Sequence, residues 1–322
     1  MPAEPLLLSE DRLRALVALH LDVVDVIEQA FVALAEGRVI MPPIMSMELP
    51  MLNAEVDAKT AFIAGLDVFA LKVSTGFFDN PARGMPSLGG MVNVLSALDG
   101  SVRAVFLDNG YLTDLRTAAA GAVAARHLAP EVVTTAGVIG TGLQARLQMR
   151  AAHLVRPFER VLVWGRDLEK AASCAADLAQ DIGVEAEVCS DPRLLVKRSQ
   201  LVVTTTPSFT PLVQADWLHP ELHITAMGSD APDKGELHPR CLTRADLYIA
   251  DSAAQVRLRG EWRAALESGD WTGDDPAELG QVIGGQAKGR TDPRQITIAD
   301  LTGTGAQDTA MAAHVLERLA DA

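Results

Sequence analysis

The stretch VVTTAGVIGTGLQARLQMR, residues Val132 to Arg150, constrains the fold more than any other part of the chain. Val132, Val133, Val138 and Ile139 are β-branched and apolar, as a parallel strand covered on both faces requires. Gly140 and Gly142 follow at once, with Ala145 in the third small position. The first glycine permits a tight turn. The second lets backbone amides approach a pyrophosphate, and the small third residue lets helix pack on strand. A helix predicted from Ala145 to Val155 then offers unsatisfied N–H groups and a partial positive charge to phosphates. A second strand, Arg160 to Trp164, arrives where a βαβ unit needs one. A glycine turn with no cofactor would share the bare motif; the strand before it and the helix after it favour a dinucleotide site.

The acidic residue that usually meets the adenine ribose would fall near Gly165, 25 positions after Gly140. Glycine stands there instead, beside Arg166. That favours a ribose 2′-phosphate, hence NADP(H) over NAD(H), with Asp167 as the alternative ribose ligand. A helix over residues 168–182 and strands over 185–189, 201–206 and 223–230 continue the alternation. Ligands of open α/β sheets bind beyond the carboxyl ends of the strands. Thr206 and the run Met227, Gly228, Ser229 and Asp230 therefore fall on the binding rim. Asp230 is a candidate catalytic carboxylate, with a turn aspartate as the alternative. A strand at 246–251, a long polar helix at 252–268 and a strand at 295–300 come next. The turn Thr302-Gly-Thr-Gly305 before a final helix, 306–320, reads as a second anion or amide site at a helix N-terminus.

The N-terminal third is patterned differently. Residues 1–40 read as helical, with Val24, Ile27, Phe31 and Leu34 on one face and Gly37 as the C-cap. Strands are expected at 44–49, 55–64, 68–75, 91–96 and 102–107, with a hairpin at Leu98-Asp-Gly-Ser101. This is antiparallel β, so residues 1–115 form a different domain from the βα-alternating remainder of the chain. Within it Lys72 lies between apolar residues, where an ammonium is costly unless an anion such as a substrate carboxylate pairs with it; a lysine snorkelling to the surface is the alternative. A helix over 111–129 would be capped by Thr113 or Asp114. Arg116 then falls in its first turn, where a cation opposes the helix dipole, which points to an anion site; an exposed arginine paired with Asp114 or Asp108 is the alternative.

A net charge of -14 argues against nucleic acid or an anionic membrane as the main partner. The three cysteines, Cys174, Cys189 and Cys241, have no metal-ligand spacing, so no metal is expected and buried free thiols are. The absence of a basic-then-apolar leader and of any apolar run of about 18 residues leads to the expectation of a cytoplasmic protein.

Taken together, these motifs resemble the ornithine cyclodeaminase/mu-crystallin family. The marks are Lys72 with the loop Gly84-Met-Pro-Ser87, the run Leu115-Arg-Thr-Ala-Ala-Ala120, the turn Gly140 to Gln144, Met227 to Asp230 followed by Lys234-Gly-Glu-Leu237, and Asp300 to Asp308. The wording VSTGFFDNP, TAMGSDA and DLTGTGAQDTA is most similar to the ectoine-utilisation (EutC) branch. The resemblance implies an α/β homodimer of two-domain chains. A β-rich α+β domain over 1–115, completed by 303–322, would carry the substrate and the dimer interface. A Rossmann-type, doubly wound parallel-sheet domain over 116–302 would carry NAD(P). It implies that Lys72 and Arg116 hold a substrate carboxylate and that Asp230 acts as general acid/base. Ser87, Thr117, Gly140, Gly142, Leu143, Gln144, Arg166, Thr206, Met227, Gly228, Lys234 and Thr302 would surround the cofactor. Lys59 stands where ornithine-specific members carry an acidic residue suited to a second substrate amine, which argues against ornithine itself. The implied chemistry is hydride transfer at the α-carbon of a small amino or imino acid, with ligand binding without turnover as the alternative.

Overall fold

The computed structural model describes residues 4–321, which fold into two compact units, residues 4–116 with 304–321, and residues 117–303. The first unit contains β1 (Leu6–Ser9), α1 (Glu10–Leu16), α2 (Leu21–Ala35), β2 (Val39–Ile40), β3 (Met45–Leu49), β4 (Ala54–Ile63), β5 (Val68–Phe77), β6 (Leu88–Ser96) and β7 (Val102–Leu107). α3 (Tyr111–Leu128) comes after β7, and the boundary between the units falls inside it. The C-terminal helix, Gly305–Ala320, belongs to this unit.

Its sheet runs β1-β7-β6-β5-β4-β2, with β3 also paired to β4. The central strands alternate. Ala70, Lys72, Val92, Val94, Ala104 and Phe106 are buried on the inner face, while Leu71, Met91 and Leu107 are exposed on the outer. Period-two alternation places residues i and i+2 on one face, so the buried set is a single surface. The C-terminal helix packs on β4 and β5, and Ala30, Ala33, Ala61, Ile63, Ala306 and Ala310 form a small-residue core there.

Three expectations need correction in this unit. Residues 1–40 are not helical throughout: Leu6–Ser9 forms a strand parallel to β7, so the sheet is not purely antiparallel. α3 starts at Tyr111, a turn earlier than a Thr113 or Asp114 cap implies, and the Asp108 carboxylate accepts from the Leu112 amide at 3.0 Å instead. Arg116 therefore lies beyond the first turn, and the dipole argument for it lapses.

The second unit is an eight-stranded sheet, parallel throughout. Its elements are β8 (Thr135–Ile139), α4 (Leu143–Val155), β9 (Arg160–Trp164), α5 (Leu168–Ile182), β10 (Glu185–Val188), α6 (Pro192–Arg198), β11 (Leu201–Thr204), β12 (His223–Ala226), α7 (Arg240–Arg244), β13 (Leu247–Ala250), α8 (Ala253–Val256), α9 (Gly260–Glu267), β14 (Ala277–Glu278), α10 (Leu279–Ile283) and β15 (Thr297–Asp300). The order β10-β9-β8-β11-β12-β15-β13-β14 reverses direction beside β8. That reversal makes the doubly wound arrangement and opens a crevice where β8 and β11 end. Both faces are covered: Val138, Val161 and Val203 enter one core, Ile139, Leu162 and Val202 the other.

β8 starts at Thr135, so Val132 is exposed and Val133 packs into the core from outside the strand. The long helix expected at 252–268 is broken into α8 and α9. Gly260, the first residue of α9, sits at φ +85, and the amides of Glu261 and Trp262 donate to the Asp300 carboxylate. The chain bends there because those donors need an acceptor at the start of α9.

Candidate functional site

In the first unit a buried charge cluster lies on the inner face of the sheet. Lys72 Nζ and Asp308 Oδ1 are 2.9 Å apart, and Arg116 Nε lies 3.3 Å from the same oxygen. Arg116 Nη1 donates to Gln307 Oε1 at 3.2 Å. β5 supplies the lysine, α3 the arginine, and the first turn of the C-terminal helix the carboxylate. An acidic residue suits that first turn because the helix N-terminus carries partial positive charge. Lys59, opposite Lys72 in the β4–β5 ladder, is buried on the same face.

The electrostatics follow from burial. Desolvation pulls the Lys72 ammonium down to about 7, against the pull of Asp308; the Arg116 and Lys59 charges push it the same way as desolvation. Burial also pushes the Asp308 carboxyl up, but the charges of Lys72, Arg116 and Lys59 overcome it and hold the group below its ordinary value. The cluster thus gathers cations around one carboxylate. Asp308 Oδ2, Gln307 Nε2 and Thr304 Oγ1 are buried and have no hydrogen-bond partner among the described residues, and Arg116 Nε meets Asp308 Oδ1 as an ion pair only. Leaving such atoms unmatched costs about 1–3 kcal/mol each; the excess of cations suits an anionic group of a ligand, while Asp308 Oδ2 can only accept, from a ligand N–H or O–H. Arg116 is neither exposed nor paired with Asp114 or Asp108, and Lys72 does not reach solvent. Asp308 and Gln307 were missed as site residues, although both stand inside the Asp300–Asp308 signature.

In the second unit Gly140 and Gly142 close β8 and open α4. Gly140 has φ +134 and donates to Trp164 O at 2.9 Å. A Cβ there would collide with Thr205 Oγ1, whereas one on Gly142 would meet nothing within 4 Å. Gly142 is the N-cap of α4 with no side chain capping the helix, and Ala145 is fully buried below. Arg146, which the sequence did not single out, donates to the carbonyls of Thr141 (2.6 Å) and Gly142 (3.2 Å) and pairs with Asp177. An open approach to a helix N-terminus with free N–H groups fits a pyrophosphate. Leu143 is exposed beside the turn, and Gln144 lies next to it.

At the end of β9, Gly165 and the exposed Arg166 precede Asp167, whose Oδ1 caps α5 by accepting from the amides of Glu169 and Lys170. Thr206 donates both its amide and its hydroxyl to Glu236 Oε1. Ser229 is buried and its hydroxyl donates to Lys234 O, while Lys234 Nζ donates to Asp230 Oδ1 at 2.7 Å. Asp230 itself is exposed on the rim beyond β12. Ser87 is half-buried before β6, and its carbonyl accepts from the Phe77 amide. The Thr117 carbonyl accepts from Gln148 Nε2.

At the turn after β15 the amides of Thr302 and Gly303 both donate to Asp251 Oδ2 at 2.7 Å, so these two donors are taken by the chain's own carboxylate, whereas the helix that starts at Gly305 has no side-chain cap. A cavity of about 610 Å³ in this unit, lined by Pro130, Arg156, Gln200 and Arg290, opens where the strands begin, away from the glycine turn. Arg290 is latched there by hydrogen bonds to Leu128 O, Pro293 O, Gln295 O, Leu222 O and Thr297 Oγ1. Among the described residues no helix is long and apolar enough to cross a membrane.

The model of the ornithine cyclodeaminase/mu-crystallin family matches residues 4–322. The chain is 49% identical over 314 residues to a Sinorhizobium fredii protein named uncharacterized cyclodeaminase y4tK, covering 97% of this chain and 95% of that one. The structure is similar to Thermococcus litoralis Delta(1)-pyrroline-2-carboxylate reductase in complex with NADH and L-proline, with TM-score 0.93, 26% identity, and 98% of each chain covered. It is also similar to an archaeal alanine dehydrogenase dimer with bound NAD, with TM-score 0.91 and 31% identity, covering 99% of this chain and 97% of the other.

Proposed function

This chain belongs to the ornithine cyclodeaminase/mu-crystallin family, and we propose that it is an NAD(P)-dependent enzyme acting at the α-carbon of a small amino or imino acid. The observation that carries the reading is the buried cluster of Lys72, Arg116 and Asp308, an anion site with polar atoms left for a ligand. Lys72 and Arg116 hold the substrate carboxylate, and Lys59 adds positive charge beside them. Binding a carboxylate in a desolvated site orients the α-carbon, and orientation supplies much of the rate. Asp230 is the general acid/base, exchanging the proton that accompanies the hydride, with Lys234 as its ion-pair partner.

Gly140, Gly142, Leu143 and Gln144 form the pyrophosphate bed. Gly165, Arg166 and Asp167 meet the adenine ribose, and Thr206, Met227, Gly228, Ser229 and Lys234 line the rim, with Ser87, Thr117 and Thr302 as further candidates. Bound there, a reduced nicotinamide supplies the hydride. The absence of a carboxylate at Gly165 and the use of Asp167 Oδ1 as a helix cap support tolerance of a 2′-phosphate and a preference for NADP(H). The two solved relatives carry NADH and NAD, so both cofactors belong in the test. Breakdown of ectoine or hydroxyectoine is the proposed setting, supported by the wording around Lys72 and Asp230.

Purified protein mixed with NADPH or NADH and cyclic or acyclic 2-imino acids should consume the reduced nicotinamide, followed by absorbance. Asp230→Asn should lower kcat by about 100-fold or more, the scale of general acid/base catalysis, with cofactor affinity unchanged. Tight cofactor binding without consumption of any imine would leave a binding protein and overturn the enzyme.

A second copy of the chain is the proposed partner. The outer face of the first unit's sheet exposes Leu7, Leu71, Met91 and Leu107 together, an apolar patch of the kind that marks an interface. The archaeal alanine dehydrogenase relative is a dimer. Sedimentation should give twice the 34.2 kDa chain mass; a single-chain mass at micromolar concentration would overturn this.

A further inference from the structure

The segments after β11 and β12 form the rim of the crevice, and one buried side chain ties them together. Glu236 is fully buried. Its Oε1 accepts from the Thr206 amide at 2.6 Å and the Thr206 hydroxyl at 2.7 Å. Its Oε2 accepts from the Thr204 hydroxyl at 2.6 Å and the Gly228 amide at 2.8 Å. Neither strand ladder reaches Thr206 or Gly228: β11 stops at Thr204 and β12 at Ala226. The glutamate is itself held. Its own amide and that of Leu237 donate to the Glu261 carboxylate at 2.8 and 3.0 Å, and the Glu261 amide donates to Asp300 Oδ2 at 2.8 Å. A line of carboxylates therefore runs from the end of β15 through α9 to the rim.

We propose that Glu236 is a positioning residue that fixes the spacing of the two strand ends against which the cofactor lies. The proposal rests on the reading of the second unit as the nucleotide-binding unit. A buried carboxylate is expensive without partners, and burial does push this one up while its hydrogen bonds pull it back. Four donors on two oxygens meet that need, and they come from two segments: the end of β11 with its extension, and the extension of β12. An apolar residue would fill the same space without joining them.

Glutamine tests the bridge because it keeps the shape and loses one acceptor. The two hydroxyls can rotate to accept from its NH2 group, but the two backbone amides cannot. Either Thr206 or Gly228 must then lose its acceptor, and one strand end is released. The Glu236→Gln protein should remain folded by circular dichroism. Its Kd for NADH, read by fluorescence titration, should rise about tenfold, which corresponds to about 1.4 kcal/mol. Hydrogen exchange at Thr206 or Gly228 should accelerate while the central strands stay protected. At saturating cofactor kcat should fall less than kcat/KM for NADH. A residue that only stabilises the fold would lower the melting temperature and leave Kd unchanged, and that result overturns the proposal. If Glu236→Gln does not fold, Thr204→Val removes one donor from Oε2; it should weaken NADH binding and speed exchange at Gly228, and no change in either overturns the bridge. Wild-type protein that fails to bind NADH or NADPH would overturn the nucleotide reading instead, and amide exchange without cofactor would still report on Glu236.

Discussion

Asp308→Asn should lower kcat/KM for the imino-acid substrate about 100-fold near neutral pH and destabilise the fold by about 3–5 kcal/mol, the cost of removing one partner from a buried ion pair. Lys72 and Arg116 both face Asp308 Oδ1, and the pair of Lys72 and Asp308 is almost wholly out of water. Without the carboxylate, the two cations confront each other in a medium that solvates neither. Lys72 is the group that yields, because an ammonium can lose its proton where a guanidinium does not. Its charge is already marginal, with the ammonium drawn down to about 7.

The same lysine sets the sign of the pH dependence. Substrate carboxylate binding needs Lys72 charged, so kcat/KM of the wild type should decline as pH rises through about 7. Asp308 raises the lysine pKa, so its removal must move that alkaline limb to lower pH. A pH profile of kcat/KM in the two proteins reads the shift. Thermal melting of the double variant Lys72→Met with Asp308→Asn should recover part of the stability that Asp308→Asn loses, since no unpaired ammonium remains. An Asp308→Asn enzyme with an unmoved limb and wild-type melting temperature would show that the carboxylate does not hold the lysine.

The sequence made the second unit legible because its elements are locally encoded. Strand Arg160–Trp164 and helix Leu168–Ile182 have the bounds that composition and capping suggest, and the glycine turn announces itself. Lys72 was visible as a charged residue in apolar surroundings, and Arg116 only through a helix-dipole argument that the start of α3 at Tyr111 removes. Their partner was not, because a residue 236 positions after Lys72 meets it only through the fold. The Asp300–Asp308 signature marked the segment without saying which atom mattered. Asp251, which takes the Thr302 amide, was hidden for the related reason that it is 51 positions away. Gly260 was hidden inside a helical pattern because the cause of the bend, Asp300, is similarly remote in sequence. What periodicity reports is which face is buried; it does not report which polar groups meet there.

Gly142→Ala should raise the Kd for NADH about 100-fold, or about 2.7 kcal/mol, while the melting temperature of the cofactor-free protein stays where it is. Gly142 has φ -82 and ψ -169, a conformation alanine adopts without strain, and its added methyl meets no protein atom within 4 Å. The methyl projects into the space from which a pyrophosphate must approach the α4 amides, so the cost falls on the ligand alone. Gly140→Ala provides the contrast. There the backbone lies at φ +134 and the methyl strikes Thr205 Oγ1, so strain of about 1–3 kcal/mol should appear in the cofactor-free melting curve as well. The two glycines are two residues apart and chemically alike, and only their surroundings separate the outcomes. Differential scanning fluorimetry without cofactor, followed by fluorescence titration with NADH and NADPH, reads both effects on the same samples. A Gly142→Ala protein that binds both cofactors as tightly as wild type would mean that no phosphate approaches this turn, and the assignment of the second unit as the nucleotide-binding unit would fall with it.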